Sequence, residues 1–421
     1  MDNIFDYKME TLGQKEREKL QTKLLKKMLK KLGASKFYRR KLKDYYIEKI
    51  EDISTLPFTT KTELRKLGPY DNLSTPISKI LEFHASSGTT GVPIGSFFTA
   101  YDLERTKRVL ARTWYMQNVR KTEIVQHLAS YGLFSAGLLN HYALLYIGAF
   151  VIPIGTVETK KQLDYMKRFR STIVTGIASH YLRLIYFMEH EGYKKSDFRL
   201  KTAIAAGEPY SENMREYIGE RLGVEVFDQY GLAEINTGIA GECKYRCGLH
   251  IQSDYAYPEI INPKTLEILG EGEEGELVLT SLDKEASNLI RYRTGDITSI
   301  MYEKCDCGRT TPRLSRFKGR LDDIIFFKGI KLEPNLIDKN LWKMKDIIDP
   351  KTWRLEISRE EGLDRGTIYI QRNPNVKADI GNIERELLSN VGVKFRVVLE
   401  PKRPPDEMHK IKRVIDLRKE K

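Results

Sequence analysis

The sequence predicts an α/β protein. A large N-terminal domain of βαβ units around a parallel sheet carries an added β subdomain, and a small α+β domain follows it. Three observations lead there. The chain has 421 residues, more than one hydrophobic core normally organises, so two or more domains are expected. Between residues 80 and 235, apolar strand-like runs at 124–128, 148–154, 171–177 and 202–206 each precede a polar–apolar helical stretch. That alternation marks parallel strands joined by crossover helices. From 240 to 317 the pattern changes to short alternating strands with frequent glycines, among them 275–280, as in a mostly β subdomain.

Residues 1–70 read as helices and connections, closing on Leu56-Pro57-Phe58-Thr59-Thr60-Lys61. The run from Lys15 to Lys31 places Leu20, Leu24, Leu25, Met28, Leu29 and Leu32 at spacings of three and four, an amphipathic helix with its lysines in solvent. Gly33 supplies its stop. Beyond Gly319-Arg320-Leu321-Asp322-Asp323 the pattern changes again. A helix at 334–343, strands at 354–358 and 367–371, a helix at 377–389 and a strand at 394–399 would form a unit of about 100 residues able to fold alone. Residues 401–421 are rich in proline and charge. No internal repeat is present.

Composition narrows the class. With 41% hydrophobic and 10% aromatic residues the chain can bury a core, which excludes a disordered protein. It has no uncharged apolar run of about 18 residues and no basic-then-apolar opening, so no membrane span or secretory leader is expected and the location expected is cytoplasmic. The net charge of +13 invites a nucleic-acid partner, but the lysines are spread along the chain and no zinc-finger or RNA-binding pattern accompanies them. The positive field suits anionic small molecules.

Ser86-Ser87-Gly88-Thr89-Thr90-Gly91-Val92-Pro93 is the most telling stretch. Hydroxyls and glycines at that density expose successive N–H groups to a polyphosphate, the alternative being a polar surface loop. It has neither the Lys-Ser/Thr of a Walker loop nor a GxGxxG spacing. Four later segments have the same dense polar character: Ala206-Gly207-Glu208-Pro209-Tyr210, Phe227-Asp228-Gln229-Tyr230-Gly231-Leu232-Ala233-Glu234, Arg291-Tyr292-Arg293-Thr294-Gly295-Asp296, and Gly319-Arg320-Leu321-Asp322-Asp323. The first two follow strand-like runs, where a ligand would meet the carboxyl edge of a sheet. All four cysteines fall in two clusters, Cys243-x3-Cys247 and Cys305-x-Cys307, with His250 nearby. In a cytosolic chain that spacing points to tetrahedral zinc rather than disulfides.

In this order and spacing the segments resemble the adenylate-forming superfamily of acyl-CoA synthetases, and most closely its phenylacetate–CoA ligase branch. The resemblance spans nearly the whole chain and takes in Leu56 to Lys61, Tyr131-Gly132-Leu133-Phe134, His141-Tyr142, Val151-Ile152-Pro153 and Arg413-Val414-Ile415-Asp416. It implies an acid–thiol ligase in which a carboxylate attacks the α-phosphorus of ATP and the acyl-adenylate passes to coenzyme A. The implied partners are a carboxylic acid, aromatic or arylacetic, with ATP and coenzyme A, and no nucleic acid or membrane; a homodimer is left open.

The resemblance also implies roles. Ser86 to Gly91 would hold the β- and γ-phosphates, and Glu234 would be the magnesium-associated carboxylate. Tyr230 would stack near adenine, flanked by Asp228, Gln229, Gly231 and Gly207-Glu208-Pro209. Asp296 would accept both ribose hydroxyls, and Arg320 would contact ribose or phosphate. Tyr131 and Phe134 would border the acyl pocket. It divides the chain into an adenylation domain, 1–320, and a mobile lid, 321–421, hinged at Asp322 or Asp323. Lys410 would bridge carboxylate and α-phosphate, with Lys412 the alternative. Glu242-Cys243, Gly248-Leu249-His250 and Cys305 to Arg309 match the branch's cysteine pattern and favour a structural zinc on Cys243, His250, Cys305 and Cys307. Cys247 is then spare, or else replaces His250 as fourth ligand.

Some positions depart from the branch: Ala233 for Ser/Thr, Gly155-Thr156-Val157 for Ser-Gly-Gly, Ala129-Ser130-Tyr131 with one aromatic fewer, Asn140 and Ala143 for glycines, and His409 for glycine. They leave nucleotide chemistry in place and point away from phenylacetate itself. The competing readings are adenylylation of a non-thiol acceptor such as a deazaflavin cofactor, acid adenylation without a thioester, and a basic nucleic-acid-binding protein.

Overall fold

A computed structural model describes the chain except residues 1–2, 43–44, 86–93, 322–324, 329, 361–362, 374–375, 402–412 and 420–421. Its centre is a nine-stranded sheet. Five neighbouring strands, Phe150–Ile152, Ile124–His127, Ile173–Gly176, Thr202–Ala206 and Glu225–Leu232, run parallel. The first four coincide with the apolar runs, the fifth carries the Phe227-Asp228-Gln229-Tyr230 segment, and they are linked by helices Ser135–Ile147, Thr159–Arg168, Ala178–His190 and Glu212–Leu222.

Alternation along the strands divides the core between the two faces. Val174, Ala203, Ala205 and Val226 face the layer containing Leu163, Tyr181, Leu182 and Ile218. Val125, Ile173, Ile204 and Phe227 face Leu110, Trp114, Leu139 and Leu144 on helices Ala100–Met116 and Ser135–Ile147. The chain is therefore α/β, as the alternation of strand and helix patterns indicates.

The β-rich region divides between two sheets. Asn236–Glu242, Leu249–Ile251, Arg313–Leu314 and Ile300–Met301 extend the main sheet antiparallel from Glu225–Leu232. Ala256–Ile261, Gly275–Ser281, Tyr292–Thr298 and Gly319–Arg320 form a separate four-stranded antiparallel sheet. A single core containing Ile239, Leu249, Ile251, Leu277, Leu279, Tyr292 and Leu314 joins them. Helix Gln14–Leu32 lays Leu25, Met28, Leu29 and Leu32 against Leu282 and Ile290 of this region, while Lys27 and Lys31 reach Asp283 and Glu285. The helix ends where Gly33 was expected to stop it, although Gly33 stays right-handed, at φ −56°.

Beyond residue 324, strands Arg396–Glu400, Leu363–Arg372, Ile348–Glu360 and Val414–Asp416 form a four-stranded sheet in that order. Helices Pro334–Lys343 and Ile380–Val391 pack on it through Ile337, Leu341, Ile383 and Leu387. The central hairpin is longer than the apolar pattern indicates because its outer end is held by charge, with Arg359 paired to Asp364 and Arg365 to Glu360. Trp342 points the other way, into the core beneath the parallel sheet, with its ring 5.6 Å from that of Tyr217. Lys351 donates to the Tyr217 hydroxyl beside it. Among the described residues, no helix is long and apolar enough to cross a membrane.

Candidate active site and cysteine cluster

Strands Thr202–Ala206 and Glu225–Leu232 end side by side, pairing Ala206 with Gln229. Gly207 then turns the chain at φ +84°, a conformation a side chain would strain. This leads into Glu208-Pro209-Tyr210, and the Glu208 carboxylate accepts from the Ser179 N–H at the start of helix Ala178–His190. On the next strand Asp228 donates its N–H to Glu242, which is itself held bidentately by Arg215 at 2.7 and 2.8 Å. Loss of water and the adjacent Glu242 charge push the Asp228 carboxyl up to about 7. Arg316 partly offsets them, with Nε 3.7 Å from Asp228, and also donates to the Tyr210 carbonyl.

The separate antiparallel sheet supplies the facing groups. Tyr230 donates its hydroxyl to Asp296 at 2.8 Å. Asp296 is the register partner of Arg320, whose Nε lies 3.6 Å from it and whose Nη2 donates to the Thr294 carbonyl. Glu234 is buried in the turn after Glu225–Leu232, near enough for its charge to bear on the Tyr292 hydroxyl. Residues far apart in the chain, 230, 234, 296 and 320, thus meet at one edge.

Two details differ from the expected arrangement. One face of Tyr230 is already covered by Phe317, whose ring is stacked at 4.0 Å and 19°, so a base could use only the opposite face. Gln229 is turned inward, 3% exposed and packed so closely on Gly238 that a Cβ there would lie 1.9 Å from its amide nitrogen. The Gln229 side chain thus packs on strand Asn236–Glu242. Arg316 and Phe317 were missed in the sequence because they sit in a connecting stretch without periodicity; their position just before Gly319-Arg320 was the one available signal.

On the neighbouring strand ends, Tyr131 is half-buried, its hydroxyl 3.0 Å from His141 Nδ1 and its ring edge-on to His127. His127 is enclosed, and burial lowers its pKa to about 4, leaving the imidazole neutral. Phe134 is exposed at the N-cap of helix Ser135–Ile147. Residues Ser86 to Pro93, Asp322, Asp323, His409, Lys410 and Lys412 lie outside the described residues. The strands on either side of the first stretch, Ile80–Ala85 and Gly95–Thr99, pair antiparallel, and the Ala85 N–H donates to the Leu133 carbonyl near Tyr131. Arg413, just after the last stretch, donates to the carbonyls of Trp353 and Lys351.

The cysteine cluster lies at the antiparallel end of the main sheet. Ligand atoms of Cys243, His250, Cys305 and Cys307 lie within 4.8 Å of one another. Cys243 and Cys305 sulfurs are 3.7 Å apart, and Cys307 Sγ is 3.4 Å from His250 Nε2. A zinc tetrahedron with ordinary bond lengths has S···S and S···N edges of about 3.8 and 3.5 Å. His250 Nδ1 lies 3.0 Å from the Thr311 hydroxyl, which orients the ring. Cys247 stands outside this group: its sulfur accepts from Arg313 at 2.8 Å, though it lies 3.5 Å from Cys305. Gly248 at φ +111° brings the backbone within reach of the Leu314 carbonyl, where a Cβ would lie 2.9 Å away.

The AMP-binding enzyme family matches residues 39–282, more than half of the chain. The chain belongs to the AMP-binding enzyme family. Within this family it falls in the phenylacetate–CoA ligase-like branch of the adenylate-forming enzymes. A phenylacetate-coenzyme A ligase from Thermus thermophilus is 32% identical over 99% of this chain and 100% of its own length. The enzyme of that name from Escherichia coli K12 is 33% identical over 86% and 84%. In three dimensions the AMP-binding chain overlays on a 2-hydroxyisobutyryl-CoA ligase in the postadenylation state with a TM-score of 0.90 at 23% identity, covering 98% of this chain and 92% of that one. The overlay with the same ligase in the thioesterification state has a TM-score of 0.73. Both likenesses concern the fold.

Proposed function

We propose that this protein is an AMP-forming acid–thiol ligase that converts an aromatic or arylacetic acid to its acyl-adenylate and transfers the acyl group to coenzyme A. The observation that carries this reading is the meeting of Tyr230, Glu234, Asp296 and Arg320 at the strand ends of a chain related end to end to phenylacetate-coenzyme A ligases.

In the first half-reaction a carboxylate oxygen bonds to the α-phosphorus while the bond to the bridging oxygen breaks, and pyrophosphate leaves. Charge grows on phosphate oxygens, so the protein's task is to place donors and cations where it appears. Asp296 offers two carboxylate oxygens to the ribose hydroxyls, and Tyr230 presents its uncovered face to adenine and holds Asp296 through its hydroxyl. Arg320 reaches ribose or phosphate from the paired strand. Asp228 and the Gly207-Glu208-Pro209 turn flank the base, and Ser86 to Gly91 grip the terminal phosphates. Lys410 brings an ammonium between the two anionic reactants and offsets their repulsion. In the second half-reaction the coenzyme A sulfur bonds to the acyl carbon and AMP leaves. Tyr131 and Phe134 border the acyl group, and residues 321–421 act as the lid, with the hinge at Asp322 or Asp323.

Glu234 would provide a hard oxygen donor of the kind that suits magnesium, whose charge would help neutralise the phosphates. Three thiols and one imidazole at tetrahedral separations suit zinc, held by Cys243, His250, Cys305 and Cys307, whose contribution is to tie residues 243–250 to 305–309. The four free thiols fit a reducing cytoplasm.

The test is pyrophosphate exchange into ATP, without coenzyme A, across a panel of carboxylic acids. Exchange driven by aryl or arylacetic acids is expected. Exchange with none of the panel would remove the adenylation step and the proposal with it.

A further inference from the structure

Among the described residues, Lys284 is the most deeply enclosed ammonium. It is 2% exposed, in the connection between strands Gly275–Ser281 and Tyr292–Thr298. Its Nζ donates to the Ile235 carbonyl at 2.9 Å. The same Nζ stands 4.9 Å from the centre of the Phe98 ring and feels the negative charge of Asp102.

Each neighbour belongs to a segment of the nucleotide site. Ile235 follows Glu234 in the same turn. Phe98 lies in strand Gly95–Thr99, which starts two residues after the Ser86–Pro93 stretch. The Asp102 carboxylate accepts from the N–H groups of Glu285, Ala286 and Thr99 at 2.7, 3.0 and 3.1 Å. The backbone that carries Lys284 is thereby tied to the end of that same strand. Downstream, the connection enters the strand that bears Asp296 and Tyr292, whose hydroxyl feels the charge of Glu234. One side chain therefore touches the Glu234 turn and the phosphate-loop hairpin while sitting at the root of the ribose-site strand.

A methionine or leucine could fill the same space without loss of hydration, whereas a buried ammonium is costly unless it holds something. Among the described residues its hydrogen-bond acceptor is a single carbonyl, that of Ile235. Burial lowers the Lys284 pKa to about 8, with Asp102 opposing the shift, so the charge survives at neutral pH.

We propose that Lys284 is a positioning residue for adenylation, fixing the Glu234 turn against the phosphate-loop hairpin through the Ile235 carbonyl. It acts through other groups and does not touch substrate. This rests on the reading of Glu234 as the magnesium-associated carboxylate.

The experiment compares Lys284→Met, Lys284→Arg and Glu234→Gln in the full-length chain, measuring pyrophosphate exchange against magnesium and ATP concentration, thioester formation from supplied acyl-adenylate, and the melting temperature. Losing a charge-assisted hydrogen bond corresponds to about tenfold or more. Lys284→Met should therefore raise the KM for magnesium–ATP about tenfold or more. It should also raise the magnesium needed for half-maximal exchange, and leave the thioester step near wild type. Lys284→Arg should restore most of the loss, which a merely space-filling role would not allow.

An unchanged KM in Lys284→Met, or equal loss of both half-reactions, overturns the inference. If Glu234→Gln shifts the magnesium dependence and Lys284→Met does not, this inference alone falls. If Glu234→Gln leaves the dependence unmoved, the reading of Glu234 falls and takes this one with it. Lys284→Gln, neutral but still a donor, is the second variant, expected between methionine and wild type. Failure of both neutral variants to fold would make Lys284 a core residue first and would also count against the proposal.

Discussion

At Asp228 the carboxyl group faces a second carboxylate, Glu242, and only partial compensation from Arg316. Its folded pKa of about 7 lies above the ordinary carboxylate value of about 4. Between those values the folded chain keeps a proton that the unfolded chain has released. The stability from this group is therefore present at low pH and declines as the pH rises through 7. Asp228→Asn should stabilise the chain more at pH 8.5 than at pH 5, by about 2–3 kcal/mol, read as a larger rise in melting temperature at the higher pH. Equal shifts at both pH values would mean that Asp228 is ionised throughout. Residues of this kind were legible because they sit in short polar motifs after strands. Arg316, Phe317 and Lys284 were not, because what they do depends on groups brought to them by folding. Lys284 meets Ile235 across 49 positions, and no local pattern records that contact.

Among elements, the four βα repeats were readable because each strand is buried on both faces and each helix on one, which leaves distinct periods in the sequence. The region 240–317 was readable as β but not as two sheets, since strand partners such as Arg313 and His250 are chosen by tertiary pairing. The cysteine cluster lies between those strands, and the residues that follow it hold the N-terminal segment. Arg309, just beyond Cys307, pairs with Glu10 at 2.6 Å with both side chains 1% exposed. The Thr310 N–H donates to the Glu10 carbonyl, and Arg17 donates to that of Thr310. Purified protein should contain about one zinc per chain, the number one tetrahedral four-ligand site holds. Strong chelation should lower the melting temperature and hasten proteolysis near residue 12. His250→Ala should lose the metal and Cys247→Ser should keep it. Metal-free protein as purified would contradict the zinc assignment, and equal loss in the two variants would contradict the choice of ligands.

For the whole molecule, the parallel sheet and the separate antiparallel sheet meet where Tyr230 bonds to Asp296, and the C-terminal unit packs against helix Glu212–Leu222. The C-terminal unit has its own core yet rests on the large one through Trp342, Tyr217 and Lys351. That contact could not be seen in the helical pattern of 334–343, where Trp342 counts simply as one more apolar position. The Arg413-Val414-Ile415-Asp416 segment pairs parallel with strand Ile348–Glu360. A chain built this way is suited to hold ATP and an acid first and to admit a thiol afterwards. The most direct test supplies ATP, magnesium, an acid active in pyrophosphate exchange, and coenzyme A, and quantifies nucleotide and acyl products together. Equimolar AMP and acyl-CoA, appearing only with all components present, is the predicted result. ADP in place of AMP, or AMP with no thioester from any such acid, would contradict the account.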